Sequence, residues 1–195
     1  MGGKILIGYL IVGLIGLLFS ILLFKDDFSV LYRVCFTLLM VVGFVLVYNV
    51  YGATYRTVVY LSLYTIMLVI SAYDIKEQLV GNDILILGAV VGILLLPINR
   101  DYHLVNYILS GLGYMTLFAI ISRVTNETIG MGDAYVLGIV GLFLGAIHTL
   151  GVLLFAVIIG GTVTLILFVL KIVGRKTTLP FIPFVTIGFM ATILL

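Results

Sequence analysis

Residues 130–146 read GMGDAYVLGIVGLFLGA, and they place one carboxylate, Asp133, at the start of a long apolar run. Two glycines, Gly130 and Gly132, stand just before it. Aspartate often caps helices and glycine is common in loops, so a purely structural interpretation is available. An ionisable group attached to a membrane helix, however, is costly and usually functional. The remainder of the sequence decides between these two interpretations.

The composition is typical of an integral membrane protein. Of 195 residues, 64% are hydrophobic and 9% are charged, and the mean hydropathy is +1.39. A soluble domain with this balance would expose too much apolar surface. The net charge of +2 is small and the basic residues are scattered, which gives no support for nucleic-acid binding. A single cysteine and two separated histidines argue against a disulfide or a metal site, so we expect no metal and no cofactor.

Charged and turn-forming residues divide the chain into eight apolar segments. They cover about residues 4–24, 29–48, 57–74, 83–98, 104–122, 133–148, 151–173 and 180–195. Because the connections are short, we predict an all-α polytopic membrane protein with about eight transmembrane helices (six to eight). Residues 1–195 are expected to form a single integral-membrane domain. The boundary between 133–148 and 151–173 rests only on His148, Thr149 and Gly151.

The distribution of Lys and Arg predicts the orientation. With eight crossings, alternate loops share a side of the membrane, and the larger set of basic residues should face the cytoplasm. That set contains Lys25, Arg33, Lys76, Arg123, Lys171, Arg175 and Lys176, and the smaller set contains Lys4, Arg56 and Arg100. Asp74 and Asp133 would then lie at the cytoplasmic ends of two helices, at one membrane depth.

Two carboxylates at one depth suggest aspartic-protease chemistry. Like-charge repulsion in a shared site keeps one carboxyl group protonated while the other stays ionised. The ionised group takes a proton from water, and the protonated group polarises the scissile carbonyl and then protonates the leaving amine. This chemistry needs no metal and no nucleophilic Ser or Cys. Asp74 and Asp133 are therefore the candidate catalytic pair.

The glycines of this region predict two different roles. Gly138, Gly141 and Gly145 form a stripe on the predicted helix, which favours close packing against another helix. Gly130 and Gly132 offer free backbone dihedrals beside a carboxylate, which suits a site where a substrate backbone must approach.

Three stretches, in this order, resemble a known family. Gly130-Met131-Gly132-Asp133 resembles the second aspartate motif of the type IV prepilin peptidases, the GxGD intramembrane aspartyl proteases. The family's first motif, an Asp at a helix end followed by Ile-Pro-Asn, corresponds here to Asp74 followed by Val80-Gly81-Asn82. The stretch Pro180-Phe181-Ile182-Pro183-Phe184 resembles the family's Pro-Phe-x-Pro-Phe. The resemblance covers about residues 57–195.

The resemblance implies a membrane aspartyl endopeptidase that cleaves the short basic leader of type IV prepilin-like proteins, whose N-terminal helix is hydrophobic. It implies the cell (cytoplasmic) membrane of a prokaryote, with the active site at the cytoplasmic face and Asp74 and Asp133 as catalytic residues. The supporting motif positions are Gly130, Met131, Gly132, Gly81, Asn82, Pro180 and Pro183. Glu77 and Glu127 flank the aspartates and are candidates for contacting a basic leader.

Two departures and three alternatives accompany this interpretation. Tyr135 stands where the family often has Lys, and no cysteine-bearing domain separates the first two helices, so methyltransferase activity is not expected. A presenilin-like protease would carry Pro-Ala-Leu in the last segment. A proton-coupled transporter would need a polar path at mid-membrane and repeated halves. A non-catalytic assembly factor would lack activity when purified.

Overall fold

The computed structural model describes residues 2–23, 29–99, 103–125, 130–174 and 177–195. Within these ranges the chain is all-helical. The helices are α1 (Gly2–Leu23), α2 (Val30–Tyr51), α3 (Tyr55–Glu77), α4 (Asn82–Leu95), α5 (Leu104–Val124), α6 (Met131–Val169) and α7 (Ile182–Leu194). The predicted fold class is therefore confirmed, with seven helices instead of about eight. The count is lower because α6 joins the predicted segments 133–148 and 151–173 across a kink at Gly145.

The helices are suited to a bilayer by length and by surface. In the part of the chain that the structure describes, α2, α3, α5 and α6 are long and apolar enough to cross a membrane, and α4 and α7 are shorter apolar helices. Large hydrophobic side chains such as Leu38, Leu112 and Leu154 point outward from the bundle. Contiguous apolar surface of this kind is stable against lipid and unfavourable in water. The chain is an integral membrane protein.

The longest helix is interrupted near its middle. A straight α6 of 39 residues would measure about 58 Å, roughly twice the hydrocarbon thickness of a bilayer. Gly145 breaks it with φ 76° and ψ 177°, a conformation that glycine adopts without steric cost. Beside the break, the Asn99 amide donates to the Phe143 carbonyl at 2.8 Å, and the Tyr114 hydroxyl donates to the Ala146 carbonyl at 2.9 Å. The interruption is thus supported by polar contacts from α5 and from the α4–α5 connection.

The chain reverses direction at this break. After it, Gly151 lies against Thr192 and Gly160 lies against Phe184. Since α7 begins beside Asp74 and runs away from it, the second half of α6 returns toward the end of the bundle that carries the aspartates. The first half, which starts near the aspartates, runs the opposite way.

The predicted boundary at residues 148–151 is therefore displaced to Gly145. Polar residues suggested the later position, but the Thr149 hydroxyl donates to the Gly145 carbonyl at 2.7 Å and remains inside the helix. The positive φ decides the position of the break, and glycine alone in this region tolerates it at little cost.

Close packing of α5 on the first half of α6 depends on glycines, which have no side chain to separate the two helices. A Cβ at Gly141 would lie 2.8 Å from the Ser110 carbonyl oxygen, and a Cβ at Gly138 would lie 2.9 Å from the Met115 Cβ. The predicted packing role is confirmed for Gly138 and Gly141, whereas Gly145 serves the break.

Helix α3 lies at the centre of the bundle, packed against α2, α4, α6 and α7. Its interior side chains, including Leu63, Met67 and Ile70, are fully buried. This central position fixes Asp74, which follows one turn after Ile70, against the start of α7 and near the start of α6.

Candidate active site

Asp74 is a buried carboxylate that caps another helix. It lies in the last turn of α3 with 6% of its surface exposed. Its Oδ2 accepts a hydrogen bond from the Ile182 N–H at 3.1 Å. The first N–H groups of a helix have no partner within that helix, so a carboxylate at this position satisfies one of them and is favoured by the helix dipole. The bond joins α3 to α7 and fixes the orientation of the carboxylate.

The prolines around Ile182 have a local explanation. Pro183 lies in the first turn of α7, where a missing N–H costs nothing because that group would have no helical partner. Pro180 precedes the helix and lines the cavity described below. The Pro-Phe-Ile-Pro-Phe stretch therefore starts α7 at a defined residue and leaves the Ile182 N–H available to Asp74.

A buried pair of hydroxyl groups, one on α3 and one on α7, stabilises this arrangement about one turn away from Asp74. Ser71 Oγ and Thr186 Oγ1 are 2.7 Å apart, and the Thr186 hydroxyl also donates to the Ile182 carbonyl at 3.1 Å. Ser71 Oγ in addition donates to the Met67 carbonyl at 2.7 Å. Because these contacts join α3 and α7 directly behind Asp74, they hold the capping bond in register.

Asp133 occupies the first turn of α6 and is half-buried. Its N–H donates to the Gly130 carbonyl at 3.1 Å, and a Cβ at Gly130 would lie 3.6 Å from its Oδ2. A Cβ at Gly132 would lie 3.3 Å from the Val80 Cγ2, so this glycine packs against the connection between α3 and α4. The GxGD stretch thus brings α6 close to that connection.

The predicted conformational freedom of these glycines is not used. Gly130 has φ −62° and ψ 142°, values that any residue adopts, and Gly132 has no positive φ. Gly132 instead matters because it lacks a side chain, since a Cβ there would crowd Val80, whereas a Cβ at Gly130 would make only an ordinary contact with Asp133.

Both aspartates line one cavity of about 440 Å³. Its walls come from the end of α3, the α3–α4 connection, the starts of α4 and α6, and the segment before α7. Among the described residues that line it, none is Lys, Arg or His, so Asp74 and Asp133 contribute the formal charges there. Two carboxyl groups facing one cavity can exchange protons with a water molecule and a bound peptide.

The seven supporting motif positions divide into two groups. Met131, Asn82, Gly130, Gly132 and Pro180 line the cavity with the aspartates. Gly81 and Pro183 do not line it. Gly81 directly precedes α4, and Pro183 stabilises the start of α7.

The two glutamates predicted to meet a basic leader have different outcomes. Glu77 is exposed, pairs with Lys76 at 3.1 Å and does not line the cavity. The cavity therefore gives no support to a role for Glu77 in binding. Glu127 lies outside the described residues.

Sequence reasoning missed two polar residues of the cavity wall. The Gln78 Nε2 donates to the Thr178 carbonyl at 3.1 Å, and the Thr178 hydroxyl donates to the Gln78 Oε1 at 3.1 Å. This reciprocal pair ties the end of α3 to the segment before α7. Gln78 also adopts φ 52°, which is uncommon for a residue other than glycine. No local pattern in the sequence predicts a contact between two residues so far apart.

Comparison with known proteins gives one family. Neither the curated proteins nor the solved structures contain a match to the chain. Residues 61–166 match the sequence model of the type IV leader peptidase family, a span that includes both aspartates and ends before Pro180.

Proposed function

The chain belongs to the type IV leader peptidase family, and from this we propose that it is an aspartyl endopeptidase whose catalytic residues are Asp74 and Asp133. Its substrates are type IV prepilin-like proteins, from which it removes a short basic leader at the cytoplasmic face of a prokaryotic cell membrane. The observation that carries the proposal is the cavity that both aspartates line, at one end of the bundle. A family of peptidases gives no support to the transporter alternative.

The reaction follows from two carboxyl groups that share a proton. A water molecule between them loses a proton to the ionised carboxylate while its oxygen attacks the scissile carbonyl carbon. The protonated carboxyl group donates to the carbonyl oxygen, and collapse of the tetrahedral intermediate breaks the C–N bond as the amine takes a proton. Because the two groups are coupled, the pair titrates together and acts as one acid–base unit.

The site is built so that one carboxylate stays in place during this exchange. Asp74 keeps the Ile182 N–H as a fixed donor, which orients the group without supplying a competing positive charge. The negative charge of the described cavity wall also complements a leader rich in Lys or Arg. This charge favours a basic peptide as the substrate.

Cleavage by the purified protein tests the proposal. In liposomes, the wild-type protein is expected to cut a synthetic substrate that has a lysine-containing leader joined to an apolar helix, and mass spectrometry should locate the cut at that junction. An intact substrate after prolonged incubation would contradict peptidase activity of this kind. Cleavage inside the apolar helix would favour a presenilin-like activity instead.

The predicted orientation is tested by labelling. The structure places the end of α3, the start of α6 and the segment before α7 at one end of the bundle. We predict that residues 75–82 and 123–132 face the cytoplasm and that residues 99–103 face outward. In a Cys35→Ser background, Glu77→Cys should react with an impermeant maleimide only from the cytoplasmic side, and His103→Cys only from outside. The reverse pattern would invert the proposed location of the active site.

Trimming without methylation is a separate prediction. Methyl transfer requires an organised pocket that holds S-adenosylmethionine in line with the new amine, and only residues 24–29 connect α1 to α2. The mature N-terminus should therefore keep the mass of a free amine after incubation with purified enzyme and S-adenosylmethionine. A gain of about 14 mass units, the increment of one methyl group, would show the prediction to be wrong.

A further inference from the structure

A second cavity lies deeper along the bundle and is almost entirely apolar. It is a groove of about 720 Å³ between α4 and α5, with α6 as its floor. Ile86, Ala89 and Ile93 form one wall, Leu112 and Met115 the other, and Ile139 lies on the floor. The groove exists because α4 and α5 each pack on α6 while contacts between α4 and α5 are scarce.

The groove is continuous with the aspartate cavity. Asn82, Leu85 and Tyr135 line both spaces. Asn82 and Tyr135 supply polar groups at the junction, and the lining beyond them is apolar. A ligand that occupies both spaces would therefore present a polar chain to the aspartates and an apolar body to the groove.

The dimensions select the kind of ligand. Along α4 the groove extends from Leu85 to Leu96, which corresponds to a rise of about 16 Å, or roughly three helical turns. The floor of the groove is buried, but its rims are open to the lipid, where Ile86 is 63% and Leu112 is 53% exposed. A membrane-embedded helix can therefore enter sideways, lie parallel to α4 and continue toward the aspartates.

We propose that this groove binds the apolar transmembrane helix of the substrate, in the three turns that directly follow the scissile bond. The inference rests on the proposed function and adds the binding surface for the part of the substrate that is not cut. With the helix seated between α4 and α5, the peptide segment before it passes Tyr135 and Asn82 and reaches Asp74 and Asp133. The membrane helix then sets the distance at which the leader is cleaved.

Cross-linking provides a matched test at neighbouring positions. Ile86 lines the groove, whereas Leu87, at nearly the same depth on α4 and 56% exposed, does not. Single cysteines at these positions are made in a Cys35→Ser, Asp133→Asn protein that holds the substrate uncut. The probe is a synthetic peptide with a lysine-containing leader, an apolar helix of about 20 residues and one cysteine in its second turn. We expect a disulfide with Ile86→Cys and several-fold less with Leu87→Cys.

A kinetic arm uses the same two positions with Asp133 intact. Ile86→Trp should fill the groove and raise KM for the full-length peptide about tenfold, equivalent to a loss of one buried aliphatic contact. Leu87→Trp should leave this KM unchanged. A shorter peptide keeps the scissile bond but ends before the apolar helix, and both variants should cleave it at the wild-type rate.

Two results would overturn the proposal. Equal cross-linking at both positions would mean that the groove holds lipid only. Equal loss of activity on full-length and truncated peptides would mean that Ile86→Trp disturbs the aspartates instead of helix binding. If wild-type protein cleaves neither peptide, the proposed function fails, and cross-linking alone then decides the role of the groove.

Discussion

Asp74→Asn and Asp133→Asn are each expected to lower kcat/KM by about 1000-fold or more while the protein still inserts and folds. Asparagine keeps the size of the side chain and an oxygen that accepts the Ile182 N–H at position 74. It cannot exchange a proton with water or with the scissile amide, so the acid–base pair is lost. Initial rates on the leader-bearing substrate in liposomes measure the effect.

Asp83→Asn is the matched control for this pair. Asp83 is an exposed carboxylate in the first turn of α4, close to the site in sequence but absent from the cavity wall. Its replacement should leave the rate unchanged, which separates a requirement for these two carboxylates from a general effect of lost negative charge. Wild-type cleavage by either catalytic variant would remove that residue from the assignment.

Gly188→Val is expected to destabilise the protein by about 1–3 kcal/mol or more. A Cβ at this position would lie 2.5 Å from the Val152 carbonyl oxygen and 2.9 Å from the Ala156 nitrogen. Both are backbone atoms of α6 and cannot rotate away, so α7 must shift. A lower midpoint of thermal unfolding in detergent measures this cost.

The same substitution links packing to activity. Since α7 carries the N–H that holds Asp74, displacement of α7 should also reduce cleavage. Gly161→Val provides the control, because a Cβ at Gly161 has no atom within 4 Å. If Gly188→Val unfolds and cleaves like Gly161→Val, the contact between α6 and α7 does not support the site.

The features that sequence predicted well are those set by local chemistry. Apolar runs gave the helices, because bilayer insertion requires continuous hydrophobic segments. The number of crossings predicts that two helix-end carboxylates, Asp74 and Asp133, lie at one end of the bundle, and the structure brings both to one cavity. Close packing at Gly141 also followed from a local pattern of small residues.

The features that sequence missed depend on contacts between distant segments. The break in α6 lies at Gly145 because a backbone dihedral, not a polar side chain, defines it. Gly132 lies tightly against Val80 and has no positive φ, which only the packed structure reveals. The apolar groove arises from the gap between α4 and α5, and no stretch of sequence encodes a gap.

The most direct test of the central claim compares the residual rate of the Asp74→Asn/Asp133→Asn double variant with those of the two single variants. Residues that act as one catalytic unit show strongly non-additive losses. If the two aspartates act as one unit, the double variant retains the residual rate of the slower single variant. A double variant slower than either single by the product of their separate losses would show that the two aspartates act independently, and would contradict a shared catalytic pair.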